Sequence, residues 1–195
     1  MSITTREVDA RDRADMERLA AGVDTALDDL MERHAAPVFH FLCRLLGNAD
    51  DAADLAQETF VRVYRARAAF RVSEKFSTWL YTIAANLARN HFRWRSRHPT
   101  VSLEPESASA DAALVEPVSR ELSPDQQAQT AERAEQVREA VRLLPPEMRE
   151  VVVLCEWEER TVAEAASILE TTPKSVESRL YRARQLLRKR LARWL

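Results

Sequence analysis

The residues best suited to a chemical role are basic side chains close to the C-terminus, where Glu177 is the only acidic residue after Pro173. A helix that presents its N-terminal residues to base edges, with cations along its flank for phosphates, fits the major groove of DNA. The alternative for such a segment is a helical hairpin with a solvated basic face. The polar face of the predicted helix comprises Lys174, Ser175, Glu177, Ser178, Arg179 and Arg182.

The segment before this helix predicts a helix-turn-helix. Thr161-Val162-Ala163-Glu164 is a capping box for a short helix that ends at about Leu169, and Thr172 with Pro173 begins the next helix. A turn of three residues between two helices is typical of a helix-turn-helix. Many such turns carry Gly where Glu170 stands, so a positive φ there would be mildly strained. The caps and the turn together favour DNA binding over a simple hairpin.

A second stretch, Trp79 to His98, mixes four aromatic rings with four arginines and contains no acidic residue. Aromatic faces can stack unpaired bases, and arginines can hold the phosphates beside them, which suits single-stranded or partly opened DNA. A ring at helical spacing is more often part of a core, so for Trp79 and Asn86 both interpretations stay open. The residues assigned to the core are Phe76, Leu80, Ile83 and Phe92.

A third group of residues is acidic. Asp50, Asp51, Asp54 and Glu58 lie on one predicted helix, close to its beginning. Acids are favoured near a helix N-terminus, so this could be an ordinary solvated face. It could equally be a docking face for a basic partner.

The sequence does not favour an enzyme or a metal site. His40 and Cys43 are three residues apart on a predicted helix, but His34 lies six residues from His40 and a fourth ligand is not evident. These residues are therefore predicted to be structural. Neither a glycine-rich phosphate loop nor a catalytic triad pattern is visible. We expect no catalytic activity, no metal and no cofactor.

Composition predicts the secondary structure and the segments that position these candidate residues. With two glycines in 195 residues and Ala, Leu, Arg and Glu dominating, the chain is predicted to be all-α. Four segments are predicted: a flexible arm over residues 1–15, a helical domain over 16–98, a flexible acidic linker over 99–124, and a second small helical domain over 125–195. The linker contains four prolines and one base, so it cannot bury a core. Pro37 predicts an interruption within the first domain.

The chain is expected to reside in the cytoplasm. No early apolar run resembles a signal peptide, and no stretch of about 20 apolar residues could span a bilayer. Cys43 and Cys155 belong to no CxxC pair and are predicted to be thiols in apolar surroundings.

Taken in order, these segments resemble a known family. Asp54-Leu55-Ala56-Gln57-Glu58-Thr59-Phe60 leads to a stretch from Phe76 to Asn86 that reads FSTWLYTIAAN. The acidic linker, Leu144-Pro145-Pro146-Glu147 and the helix-turn-helix ending at Arg184 follow. The sequence is similar to bacterial RNA polymerase sigma factors of the extracytoplasmic-function (ECF) group, over about residues 16–100 and 125–192. The departures are Glu159-Arg160, where relatives often have a Gly-containing turn, and the arm before Met16.

The resemblance implies partners and site residues. The first domain, called sigma-2, would bind core RNA polymerase and the −10 promoter element, melt that element and hold a flipped base. The second, called sigma-4, would bind the −35 element, and the linker would thread polymerase channels. Polymerase contacts would come from Asp54, Leu55, Gln57, Glu58 and Phe60. Contacts to −10 DNA would come from Arg71, Ser73, Lys75, Trp79, Asn86, Arg89 and Arg93. Contacts to −35 DNA would come from Pro173, Lys174, Ser175, Ser178, Arg179 and Arg182.

The resemblance further implies control by an anti-sigma factor and no membrane insertion of the chain itself. The competing function is a helix-turn-helix repressor or activator that does not dock on polymerase. That function would leave the aromatic and basic helix of the first domain and the acidic linker without a role.

Overall fold

The computed structural model describes residues 5–71, 73–98 and 124–192, and within these ranges the chain forms helices and no β-strand. The prediction of an all-α fold is confirmed. The helices are α1 (Thr5–Ala20), α2 (Thr25–Leu46), α3 (Ala49–Arg65), α4 (Phe76–Arg97), α5 (Pro124–Arg142), α6 (Pro146–Val152), α7 (Val162–Ile168) and α8 (Pro173–Leu191). A 3-10 turn covers Arg67–Ala69, and a π-helical turn covers Val153–Trp157.

Helix α1 corrects the predicted flexible arm, because residues 5–15 are helical. Met16 and Leu19 on this helix are buried in the core. Asp12 is buried as well, and its carboxylate accepts hydrogen bonds from Arg33 Nε (2.9 Å) and His34 Nε2 (2.8 Å). The first helix is thus fixed to α2 by both apolar contacts and a buried ionic network.

The interruption predicted at Pro37 is also wrong, since the proline lies inside α2. A proline within a helix costs about 3 kcal/mol because it removes one backbone hydrogen bond and crowds the preceding turn. Buried residues lie on both sides of it, including His34, Val38 and Phe41. Packing of the two halves against one core outweighs the local cost.

Residues from both halves of the chain share one hydrophobic core. Buried side chains of α2, α3 and α4 are continuous with those of α6, α7 and α8. The predicted acidic linker lies outside the described residues, except for Pro124 at the start of α5. Among the described residues, no helix is long and apolar enough to cross a membrane, and no cluster of His, Cys, Asp and Glu could hold a metal ion.

Candidate nucleic-acid interface

Helices α7 and α8 form the predicted helix-turn-helix. The hydroxyl of Thr161 accepts a hydrogen bond from the Glu164 backbone N–H, and the Glu164 carboxylate accepts one from the Thr161 N–H, which completes the capping box. Thr172 caps α8 through the N–H of Ser175 (3.2 Å), with Pro173 at the first helical position. Glu170 in the turn has φ +52°, so the strained position predicted there is present.

One face of α8 points away from the rest of the protein. Pro173, Lys174, Ser178 and Arg182 are exposed on it, and Ser175 is half-buried. Arg179 is also half-buried, with its guanidinium 3.9 Å from the carboxylate of Glu147. The six predicted −35 residues therefore lie together on the first three turns of one helix, where a groove of DNA could reach most of them.

A buried carboxyl group on α6 lies close to cations of α4 and α8. Glu150 is 2% exposed, and its Oε1 has no hydrogen-bond partner among the described residues. Burial raises the pKa of Glu150 to about 7, although the nearby cations Arg89 and Arg179 oppose the shift. The Arg89 Nε atom lies 3.9 Å from this carboxylate.

Three aromatic rings gather at the beginning of α4. Trp79 packs against Phe70, with ring centroids 5.3 Å apart, and against Phe76 at 6.2 Å. Phe76 and Leu80 are buried, as predicted, whereas Ile83 and Phe92 are partly buried against the core. Trp79 is half-buried, so one part of its ring supports the cluster while another part faces outward.

That outward part of Trp79 lines an open groove between α3 and α4. The groove has a volume of about 530 Å³ and includes Asn86 and Ile83 from α4. Arg62 and Arg65 line its other side, together with Glu58, which is paired with Arg62. An aromatic face, an amide and two cations beside one cavity can stack a base, hydrogen-bond its edge and hold its phosphate.

The remaining predicted −10 residues fall into two groups. Arg71, Ser73 and Arg93 are exposed. Lys75 and Arg89 instead contact the helix-turn-helix. The Lys75 ammonium lies 2.9 Å from the Glu164 carboxylate, and Arg89 donates a hydrogen bond to the Leu169 carbonyl (3.3 Å). The ion pair with Lys75, together with the capping-box bonds from Thr161, lowers the pKa of Glu164 to about 2.

Asn86 lines the groove between α3 and α4 and also lies beside the helix-turn-helix. Its side-chain oxygen accepts a hydrogen bond from Arg89 (2.6 Å), and its nitrogen lies 3.5 Å from the Glu170 carboxylate. The structure thus brings part of the predicted −10 set directly onto the helix-turn-helix.

The acidic face of α3 is partly available. Asp54 and Gln57 are exposed, and Glu58 forms an ion pair with Arg62 (2.8 Å) one helical turn away. Leu55 is half-buried against the core. Phe60 is 4% exposed, which corrects its assignment as a direct polymerase contact. Its burial makes it a core residue that anchors α3 beneath the acidic face.

Sequence reasoning missed a polar cluster between the two halves of the chain. Glu158 directly follows the π-helical turn and accepts hydrogen bonds from Tyr81 Oη (2.6 Å) and Arg44 (3.1 Å). The guanidinium of Arg160 lies 4.7 Å from the centre of the Tyr81 ring and donates to the Ser77 hydroxyl (3.3 Å). Between them, Glu159 has φ +50°. The only sequence signal was the missing glycine at Glu159-Arg160.

Comparison with known proteins places both halves of the chain in the same class. Residues 30–98 match the family described as sigma-70 region 2, and residues 134–187 match sigma-70 region 4. The first contains the α3–α4 groove, and the second contains the helix-turn-helix. An all-α chain with these two regions in this order has the domain organisation of a sigma factor of RNA polymerase.

Whole-chain relatives narrow this class. The chain is 30% identical over 178 residues to the ECF RNA polymerase sigma factor SigW of Bacillus subtilis, covering 90% of this chain and 94% of SigW. It is 33% identical over 176 residues to the RNA polymerase sigma factor CarQ of Myxococcus xanthus, covering 90% and 95%. The chain belongs to the ECF family of RNA polymerase sigma factors, the subunits that direct transcription initiation at promoters.

Solved structures agree with the fold. CnrH in complex with the cytosolic domain of CnrY is similar with a TM-score of 0.66 and 25% identity, covering 93% of this chain and 97% of CnrH. The sigma factor RpoE of Bartonella quintana, in complex with the anti-sigma factor NepR, has a TM-score of 0.65 at 22% identity, covering 86% and 98%.

Proposed function

We propose that this sigma factor divides promoter recognition between its two helical units. The outward face of α8 reads the −35 element through Lys174, Ser178, Arg179 and Arg182. The groove beside Trp79 and Asn86 holds a base of the opened −10 element, and Arg71 and Arg93 contact its backbone. The observation that carries this proposal is the capped helix-turn-helix, whose exposed polar face lies on the first turns of the second helix.

Docking on core RNA polymerase is assigned to the acidic face of α3. Asp54 and Gln57 are exposed there, beside Glu58, and none of the three is needed to fill the core. A compact set of carboxylates attracts a basic partner surface over roughly 10 Å at 0.1 M salt. The buried Phe60 and half-buried Leu55 hold this surface rigid.

Run-off transcription with core polymerase on a panel of promoter fragments tests the proposal. The wild-type chain is expected to start transcripts at defined positions. The double variant Asp54→Lys with Glu58→Lys is expected to lose co-purification with core polymerase while keeping its helical circular dichroism. Normal co-purification of that variant would remove the docking assignment, and random start positions would remove promoter recognition.

Control by an anti-sigma factor is a further part of the proposal, with both partners acting in the cytoplasm. Its support is the likeness, over nearly the whole chain, to CnrH bound to the cytosolic domain of CnrY. Expression of the chain alone and together with a protein encoded beside it tests this control. Full reporter activity in both cases would count against the anti-sigma factor.

A further inference from the structure

Helix α1 reaches the beginning of α4, where the candidate groove for a −10 base is formed. It packs against α4 and against the 3-10 turn Arg67–Ala69 that precedes α4. The carboxylate of Asp9 lies 3.9 Å from the ammonium of Lys75, next to the first residue of α4. Asp12 follows on the same face of α1, three residues further along, and is buried. A buried carboxylate is costly unless it is paired, so the partners of Asp12 indicate what this helix holds in place.

The carboxylate of Asp12 fixes the ring of His34. It accepts one hydrogen bond from Arg33 Nε (2.9 Å) and one from His34 Nε2 (2.8 Å). Because an ionised carboxylate can only accept hydrogen bonds, this contact assigns the ring proton to Nε2 and sets the orientation of the imidazole. His34 is itself buried within α2. Asp12 and His34 thus form a buried pair that joins α1 to α2.

The His34 ring packs in turn on the aromatic cluster at the beginning of α4. Its centroid lies 5.2 Å from that of Phe76, with the two ring planes at 62°. Phe76 contacts Phe70 and Trp79, both with centroids 6.2 Å apart, and Phe70 contacts Trp79 at 5.3 Å. Each ring restricts the next, because closely packed aromatic rings keep specific edge and face arrangements. A continuous path of contacts therefore joins Asp12 to Trp79, which lines the groove.

Local structure does not hold Phe76 in its place. Phe76 is the first residue of α4, and Lys75 at the N-cap position is extended and makes no side-chain capping hydrogen bond. The first turn of a helix without such a cap is less firmly held, since its backbone N–H groups have no intrahelical partner. The ring of Phe76 is nevertheless 2% exposed. Its position therefore depends on the rings packed against it, and the ring of His34 comes from another helix.

We propose that Asp12 and His34 are positioning residues for base capture in the groove between α3 and α4. Asp12 holds the His34 ring, the His34 ring holds Phe76, and the aromatic cluster sets the plane of Trp79 on which a base of the opened strand stacks. Helix α1 thereby belongs to the −10 site without contacting DNA. This inference rests on the proposed role of Trp79. Stacking depends on ring orientation, so loss of the buried pair weakens strand binding although every contact residue is still present.

The test uses variants of the full chain, each assembled with core RNA polymerase. Asp12→Asn removes the charge and keeps the size of the side chain. His34→Leu removes the ring that contacts Phe76 and leaves Asp12 paired with Arg33. Asp15→Asn is the matched control, because Asp15 is also buried and also pairs with Arg33 (2.5 Å), while the ring of His34 is held by Asp12. Circular dichroism checks that each variant is folded.

Fluorescence anisotropy gives the affinity of each holoenzyme for a labelled single strand that carries the −10 segment of a promoter identified by run-off transcription. Trp79→Ala is the reference and is expected to weaken binding about tenfold, because it removes the stacking surface. Asp12→Asn and His34→Leu are each expected to weaken binding about fivefold, a part of the same stacking contribution. The double variant of Asp12 and His34 is no weaker than His34→Leu, since both residues act along one path. Asp15→Asn stays close to wild type.

A second measurement reports stacking itself. Bases of the strand are replaced one at a time by a fluorescent purine analogue whose emission is quenched when it stacks. At saturating holoenzyme, wild type is expected to quench the analogue at the position that enters the groove. Trp79→Ala should abolish this quenching, and Asp12→Asn should reduce it even though the strand is fully bound. A general loss of stability would leave the quenching of the bound strand unchanged.

Equal weakening by Asp12→Asn and Asp15→Asn, or wild-type quenching in Asp12→Asn, would overturn the positioning role. Wild-type affinity in both Asp12→Asn and His34→Leu would overturn it as well. If Asp12→Asn does not fold, His34→Leu decides alone, because it keeps the ion pair between Asp12 and Arg33. Wild-type affinity in Trp79→Ala would instead overturn the proposed stacking of a base in the groove, so the failure of the proposed function is distinguished from the failure of this inference.

Discussion

At the scale of single residues, two glutamates occupy positions that glycine usually fills. Glu159 and Glu170 both have positive φ, and each lies where the sequence indicated a missing glycine. Local pattern was sufficient to find these positions because a turn of given length fixes its own backbone angles. It was not sufficient to predict what surrounds them. The neighbours of Glu159 on either side, Glu158 and Arg160, contact α4, and Asn86 of α4 lies 3.5 Å from the Glu170 carboxylate.

Replacing Glu159 with Gly is expected to stabilise the protein by about 0.5–1 kcal/mol. Left-handed backbone costs a non-glycine residue about 1–2 kcal/mol, and glycine loses about 0.5–1 kcal/mol more chain entropy on folding. The Glu159 side chain is exposed. Urea denaturation measures the change. The control is Glu177→Gly, the same substitution at an exposed site inside α8, which is expected to destabilise by about 1 kcal/mol. Equal signs for the two variants would contradict the strain at Glu159.

Glu150, a single buried side chain, is expected to make the stability of the protein depend on pH. Its pKa is about 7 in the folded protein against 4.5 for the free group, because burial disfavours the charged form. The folded state therefore holds a proton that the unfolded state has released between these two values. Its contribution to stability is complete below pH 4.5, falls as pH rises, and is gone above about pH 7.

We expect Glu150→Gln to become more stable relative to wild type as pH increases from 4.5 to 8. The difference in unfolding free energy should change by about 3 kcal/mol, since each pKa unit corresponds to about 1.36 kcal/mol. Denaturation curves at several pH values give this difference. Glu147→Gln on the same helix, whose side chain is 74% exposed, serves as control and should follow wild type. A constant difference for Glu150→Gln would mean that folding does not raise the pKa of Glu150.

At the scale of elements, local signals located the caps and long-range contacts decided the rest. Thr161 and Thr172 cap helices where the sequence predicted, because each cap involves residues only three apart. The prediction of a flexible arm was wrong because Asp12 fixes α1 to α2. Its partners, Arg33 and His34, are 21 and 22 residues away in the sequence. Nothing in the local pattern of a polar, charged segment distinguishes a buried aspartate from a solvated one.

Asp12→Ala is expected to destabilise the protein by about 3 kcal/mol. It leaves the buried His34 ring and the Arg33 guanidinium without their shared acceptor, and breaking a buried ionic network is costly. Hydrogen exchange should show the loss concentrated in α1 amides. Glu17→Ala on the exposed side of α1 should have little effect. Unchanged protection of α1 in Asp12→Ala would mean that Met16 and Leu19, with the ion pair between Asp15 and Arg33, are sufficient to hold this helix.

At the scale of the whole molecule, the contacts that determine how the two halves pack join residues far apart in the sequence. Arg44 and Glu158 are 114 residues apart, and Arg89 and Leu169 are 80 apart. The two candidate DNA-binding surfaces were predicted from composition, spacing and the family resemblance, whereas their contact with each other depends on how two separately recognisable regions pack. Sequence reasoning therefore predicted the pieces of the interface and missed their arrangement.

Packing of both halves into one core makes a prediction about unfolding. Arg149 from α6 donates a hydrogen bond to the Leu45 carbonyl of α2, and Glu158 accepts hydrogen bonds from Tyr81 and Arg44 in the first half of the chain. A shared core couples the stability of its parts, so calorimetry of wild type should show one transition with equal calorimetric and van't Hoff enthalpies. Glu158→Arg should split this transition into two. It places a cation against Arg44, and two halves that no longer pack against each other unfold independently. Adding Arg44→Glu to Glu158→Arg restores opposite charges across the interface and should restore one transition. The control Glu156→Gln should keep one transition, because Glu156 pairs with Arg184 within the second half of the chain. Two resolved transitions in wild type would mean that the halves fold as independent units, and the continuous core across α4 and α7 would then contribute little to stability.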